Sequence, residues 1–524
     1  MRLISARTGQ ARWLGRRQSL GRLLLALLPI GATTLSASEY EKQSNLAAAM
    51  ATITTPEIKR HVDVLASDAF EGRDAGSRGG RAASTYLVEQ LRRYPLKPAG
   101  QDEGYYQPLS NGFRNVLAMI EGSDPKLKDE VILVCAHYDH VGYGTSRTSY
   151  GPIGLVHHGA DDNASGTAGL LEVTEALTRL QPRPRRSILI AFFDGEEQGL
   201  LGSEHFVEHP PVPLNRIKLM INLDMIGRLT DNTVTVFGTR TSPGLRRIVS
   251  ESNQESDLML KFTRELKQNS DHHTFFARNI PILMLHTGLH GDYHRPSDTA
   301  EKIDSAGVRK ISQLLFRIID QLGNAPQLAS FRPASRREAV FDDPSVPQSA
   351  PPPGRLGIDW KSDAVAAAGV EISGVLADSA ASRAGLKVGD RVVRCGAQAI
   401  DSGRQLRAAI VVAPRTIELG ILRKDESKPA MVQVELAGKP QRVGVSWWED
   451  NAEPGTLIVS SVLPDSPADQ AGIRSGDRIV ELAGTGFKDG EAFRKRAAES
   501  TGLTDMTIER QGRMRAVQIP LPAR

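Results

Sequence analysis

Short apolar runs separated by longer stretches of helical period set the pattern of residues 55–322. Val131–Ala136, Ser187–Phe193, Ile217–Leu223 and Ile282–Leu285 are runs of strand length with almost no polar interruption, as expected of strands covered on both faces. Between and around them, Gly79–Leu91, Ser165–Leu180, Leu200–Glu208 and Val308–Leu322 read as helices, and Pro182 and Pro184 stop the second of these. Thr55–Leu65 is a further helix, with Thr55 as its N-cap and Pro56 at its first helical position. Apolar runs alternating with helical patterns predict an α/β domain built on a parallel sheet.

The runs lead into polar residues able to do chemistry. Val131–Ala136 leads to His137, Ser187–Phe193 to Glu196 and Glu197, Ile217–Leu223 to Asp224, and Ile282–Leu285 towards His294. GADDNASG, Gly159 to Gly166, places a carboxylate in a Gly-flanked turn at the mouth of a helix. Ligand sites in parallel sheets form outside the carboxyl ends of the strands, so these side chains are expected to converge on one crevice. A metal-bound imidazole needs its other N–H held, and Asp139, two residues after His137, can hold it. Glu196 and Glu197 are neighbours in a turn and point in different directions, so one can ligate a metal while the other faces a substrate water. Asp224 sits in an otherwise apolar run, where a cation would compensate its charge. Gly142–Gly154 reads as a loop over the site, and His157, His158, His205, His209 and His273 as loop or helix-surface residues.

After residue 323 the pattern changes. Asn324–Gly354 holds seven prolines without sustained periodicity and reads as a linker. Beyond it the chain repeats itself: DSAASRAGLKVGDRVV at Asp378–Val393 returns as DSPADQAGIRSGDRIV at Asp465–Val480, 87 residues later. Each copy starts with an apolar-Gly-apolar element, Leu356-Gly357-Ile358 and Val443-Gly444-Val445, and ends a short helix in Ala-Gly before a GDR turn. These units, 355–440 and 441–524, resemble PDZ domains, which implies small β-rich modules that take an extended peptide or protein ligand by strand addition. Packing on the enzyme, or pairing of chains, is an equal alternative for them.

Composition narrows the setting. Residues 1–38 hold six arginines and no acid or lysine, so without them the formal charge of +4 becomes −2 and gives no reason to expect a nucleic acid partner. The basic start is followed by an apolar core at Leu23–Leu28 and by small residues, the layout of an export signal, and the core is too short for a stable membrane span. A secreted or periplasmic protein is expected. Cys135 and Cys395, the only cysteines of the chain, fall in apolar runs and read as buried thiols.

HYDH, GADDNASGTAGLLE, FFDGEEQGLLGS, NLDMIGR, SDHHTF and DYHRPSDT, in this order and spacing, resemble the secreted co-catalytic di-zinc aminopeptidases, a metallopeptidase family that includes carboxypeptidase-like enzymes and glutaminyl cyclases. The resemblance spans roughly residues 55–322 of a zinc peptidase domain at 39–323. It implies a mixed, mostly parallel sheet with helices on both faces, and two Zn²⁺ per chain. Carried over, Asp162 bridges both ions, His137 and Asp224 complete one, Glu197 and His294 the other, and Glu196 is the general base. Asp139 supports, and the Tyr293 hydroxyl stabilises the oxyanion. Asp161 competes with Asp162, and Glu196 and Glu197 could exchange roles. The implied reaction is hydrolysis of the N-terminal peptide bond of a peptide through a zinc-bridged water. Glutaminyl cyclase or carboxypeptidase activity is the alternative on the same fold, and an inactive peptidase serving as a PDZ peptide-binding scaffold is the alternative of another class.

Overall fold

The structure, a computed structural model, describes residues 37–338, 354–360, 369–424 and 426–523. Residues 1–36 of the expected export signal, 1–38, and residues 339–353 of the expected linker lie outside the described residues.

Nine strands form the first sheet: β1 (Lys97–Pro98), β2 (Tyr106–Pro108), β3 (Arg114–Ile120), β4 (Val131–His137), β5 (Ser187–Phe193), β6 (Ile217–Leu223), β7 (Thr233–Phe237), β8 (Met259–Phe262) and β9 (Ile282–His286). Their order is β1-β3-β5-β4-β6-β9-β7-β8, with β2 paired to β3. The centre, β5-β4-β6-β9, is parallel, and so is β7-β8. β3 runs antiparallel to β5, and β7 antiparallel to β9, so the sheet is mixed, as the sequence implies, with a parallel centre.

β4 and β5 are buried at every position because both faces of the sheet are covered. On one face the helices Thr55–Leu65, Gly166–Arg179 and Ser305–Asn324 pack with Ile132, Val134, Ile188 and Ile190 in one core. On the other, Phe206, Phe275 and Phe276 close over Leu133, Leu189 and Phe193. The first of these helices is capped by Thr54, whose hydroxyl accepts from Glu57 N, and not by Thr55.

Residues 325–338, expected as linker, are instead a strap tied to the domain. Arg332 N donates to Thr241 O at 2.7 Å, and the Arg332 guanidinium binds Glu338 and the Oδ1 of Asn451. The strap is held by main-chain bonds, arginine contacts and two isolated apolar anchors, Leu328 and Phe331, so it leaves no periodic trace in the sequence.

The two repeats fold as two six-stranded antiparallel sheets, Ile358–Trp360 to Ala430–Glu435 and Val445–Trp448 to Arg513–Leu521. In each, a tryptophan packs against the first residue of a helix and under an arginine: Trp360 with Gly403 and Arg407, Trp447 with Gly490 and Arg494. The second repeat is docked on the α/β domain. Leu260 N of β8 donates to Gln511 O at 3.2 Å, so the 510–513 hairpin turn covers this strand edge. Beside it the buried Glu509 carboxylate binds Arg246 at 3.0 Å and lies 3.6 Å from Arg478. Among the described residues no helix is long and apolar enough to cross a membrane. Replacing Glu509 by Ala leaves Arg246 with Glu453 alone, 4.0 Å away, while Arg478 keeps its 2.6 Å contact to the same carboxylate, and should destabilise the docked unit by about 1–3 kcal/mol, read as a lower midpoint in thermal unfolding.

Candidate metal centre

The site lies where the sequence places it, outside the carboxyl ends of β4, β5 and β6 and in the loop after β9. His137 is the last residue of β4, and its carbonyl accepts from Thr167 Oγ1 at 2.9 Å. Asp162 sits in a wide turn, Ala160–Ser165, and leaves the helical conformation with φ −104° and ψ 95°. Two side chains hold this turn. Asp298 Oδ2 accepts from the amides of Asp161 and Asp162 at 2.8 and 3.2 Å, and Asn163 donates to Leu223 O and accepts from Met225 N, on either side of Asp224.

The two oxygens of Asp162 face different partners. Oδ1 lies 3.3 Å from His137 Nε2, which is 3.5 Å from Asp224 Oδ1; Oδ2 lies 3.1 Å from His294 Nε2, which is 3.0 Å from Glu197 Oε2. Donor atoms of His140, Asp162, Glu197 and His294 fall within 4.8 Å of one another, and so do those of His137, Glu196 and Asp224. The five expected ligands and Glu196 are therefore brought together. Asp161 is turned away: its carboxylate accepts from Gly227 N and Ser165 Oγ and lies 3.1 Å from His290 Nε2. Glu196 and Glu197 part as neighbours in a turn should, one towards each donor set.

Asp139 acts differently from the expectation. His137 Nδ1 lies 3.3 Å from Asp139 O and 3.6 Å from its carboxylate, while the carboxylate accepts from the amides of Glu196 and Glu197 at 3.2 and 3.3 Å. It thus orients the β5 turn as well as His137. The Tyr293 ring stacks on His294 with centroids 3.9 Å apart, and burial together with the surrounding carboxylates keeps its phenol well above the ordinary range. His140 was not singled out in the sequence. It is fully buried with Nδ1 2.8 Å from Glu197 Oε1, and the signal was there in HYDH. His157 is also buried, hydrogen-bonded to Ser149 and Leu155 O, rather than a surface loop residue. The expected loop over the site is present: Tyr150 N donates to His294 O at 3.1 Å and its ring stacks on that imidazole.

The donor set fits a cation. His294 Nε2 faces two carboxylate oxygens but is in hydrogen-bonding geometry with neither, and the buried Nε2 of His140 has no partner among the described residues. Burial opposes a charge on His294, yet Asp162 and Glu197 outweigh it and raise its pKa to about 11. Burial, opposed by His137 and reinforced by Glu197, holds the Glu196 carboxyl well above the ordinary range. So many acids in one dry crevice call for positive charge.

Residues 115–319 match the family model Peptidase family M28, and residues 346–422 and 458–502 match models described as PDZ domain. A probable zinc metalloprotease of Leptosphaeria maculans is 29% identical over 259 residues, covering 44% of this chain and 56% of the relative. Aminopeptidase YwaD of Bacillus subtilis is 29% identical over 215 residues, covering 38% of this chain and 43% of the relative. The chain thus spans about half the length of the curated relatives it matches. A crystal structure of the LapA aminopeptidase of Legionella pneumophila superposes with a TM-score of 0.43 at 18% identity, covering 54% of this chain and 76% of that one.

A divalent cation bound by these donors should stabilise the fold by about 2.7 kcal/mol at a hundredfold excess over its dissociation constant, read as a higher midpoint of thermal unfolding. A chelator should reverse the gain. A midpoint indifferent to both would show that the cluster holds no metal.

Proposed function

We propose that this chain, whose residues match the models of Peptidase family M28 and of PDZ domains, is a zinc-dependent aminopeptidase that removes the N-terminal residue of peptides and holds two zinc ions per chain. The observation that carries this reading is Asp162, whose two oxygens face two separate donor sets, 3.3 Å from His137 and 3.1 Å from His294. His137 and Asp224 would hold one ion with Asp162 Oδ1, and Glu197 and His294 the other with Oδ2. The names of the relatives, an aminopeptidase and a probable zinc metalloprotease, support the same chemistry.

When bound, zinc polarises the scissile carbonyl and lowers the pKa of water towards neutrality. The remaining work falls to side chains. Glu196, its amide fixed by Asp139, takes the proton of the attacking water and returns it to the leaving amine. The carboxylates of Glu196 and Asp224 receive the free α-ammonium of the substrate, a charge that an N-acetylated peptide lacks. Tyr293 keeps its proton and donates it in a hydrogen bond to the tetrahedral oxyanion. His140 holds Glu197 Oε1, which leaves Oε2 directed at His294.

The basic, then apolar, then small-residue start of the chain supports export to the periplasm or beyond. The first PDZ domain supports a peptide ligand of its own, since a cleft of about 310 Å³ runs along Leu356, Gly357, Ile358, Leu406 and Ile410.

Metal analysis of the purified protein should find close to two zinc ions per chain. Glu196→Ala should keep the metal and lose about 10²–10⁴-fold in kcat on an amino-acid anilide, and N-acetylated anilides should resist the wild-type enzyme. Cyclisation of N-terminal glutamine peptides, or cleavage of the N-acetylated controls, would overturn the aminopeptidase assignment.

A further inference from the structure

Arg73 belongs to a polar, Gly-rich stretch, Phe70–Gly80, whose composition suggests a surface loop, yet its side chain is completely buried. A buried guanidinium ordinarily pairs with a carboxylate. Here every described partner is a main-chain carbonyl: Nε donates to Tyr138 O at 2.9 Å, Nη1 to Leu65 O and His158 O at 2.6 and 2.7 Å, and Nη2 to Gly159 O at 2.8 Å. Tyr138 lies between His137 and Asp139, and Gly159 opens the turn that carries Asp162.

The main chain around Arg73 is woven into the same loops. Arg73 O accepts from His140 N, and Gly72 O from Gly142 N. Glu71, Gly72 and Arg73 all adopt left-handed φ angles, 48°, 65° and 52°, an unfavourable choice for the two that are not glycine. At Gly72 a Cβ would run into the carbonyl oxygens of His157 and Gly142, so only glycine lets the turn pass between them. The carboxylates of Asp162, Asp139, Asp298 and Glu197 lie close enough to support the charge against burial, although burial still lowers its pKa to about 10.

We propose that Arg73 is a positioning residue of the metal centre: its planar fork joins the end of β4 to the Asp162 turn, and so sets the separation of His137 from Asp162 before any ion arrives. Its charge at the same time offsets the repulsion among the acids. This inference rests on the reading of the cluster as a metal centre. Only a guanidinium has the planar, multiply donating geometry to reach four carbonyls at once.

Arg186 provides the control. It is equally buried and donates to the main-chain carbonyls of Leu322 and Ala325 as well as to the Glu130 carboxylate, but it sits just before β5, at the end of the sheet opposite the site. The full-length protein would be prepared as wild type, Arg73→Met, Arg73→Lys and Arg186→Met. Zinc affinity would be measured by competition with a chromogenic chelator, and metal-free stability by thermal unfolding. Arg73→Met is expected to raise the zinc dissociation constant about tenfold or more, while Arg186→Met lowers the melting temperature and leaves zinc affinity within about twofold. Arg73→Lys keeps the charge without the fork; it should fold and still bind zinc several-fold more weakly, and it carries the test if Arg73→Met does not fold. Wild-type affinity in both Arg73 variants, or an equal loss in Arg186→Met, would overturn the proposal while leaving the metal centre standing. A wild-type protein that binds no zinc would overturn both.

Discussion

Asp162, Glu196, Glu197 and Asp224 share one dry crevice, and the repulsion among these four acids is what the surrounding structure has to restrain. They do not gather by attraction. Each is delivered by a strand end or a turn whose main chain is fixed elsewhere: β4 and β5 by cores on both faces of the sheet, the Asp162 turn by Asp298 and Asn163, the paired glutamates by Asp139. The rigidity of the parallel centre is thus spent on holding like charges a few ångströms apart. In such a site positive charge, from imidazoles or a cation, is what lets the acids stay ionised.

The sequence exposes the strand ends well and their supports poorly. His137, Glu197 and Asp224 follow apolar runs of strand length bounded by turns, so their convergence can be inferred from the pattern. His294 is legible mainly through the DYHRPSDT resemblance, because the loop from β9 has no periodicity. His140 stands in the quoted HYDH motif, but its partner Glu197 is 57 residues away, and nothing local distinguishes a buried imidazole from an exposed one. Asp298 is similar: its carboxylate is wholly buried because amides 136 and 137 residues distant bind it. Arg73 is the extreme case, a cation in a stretch that reads as solvated. Composition reports average polarity, whereas these residues depend on single long-range hydrogen bonds.

The flanks of the sheet were legible only as a fold class. β1, β2 and β8 are too short to show a period, and the 325–338 strap is ordered by arginine contacts that no pattern announces. The PDZ modules are the opposite case, since an 87-residue repeat reveals two copies of one unit before any fold is known.

Those two copies are not interchangeable, and one ladder position says why. Glu509 pairs in register with Arg478, and at the matching rung of the first module Arg391 pairs with Leu422. The second copy therefore presents an acid to Arg246 where the first would present a leucine. At that rung the second module carries one of the side chains that fasten it to the α/β domain, beside the main-chain bond of Gln511 and the Asn451 contact of Arg332.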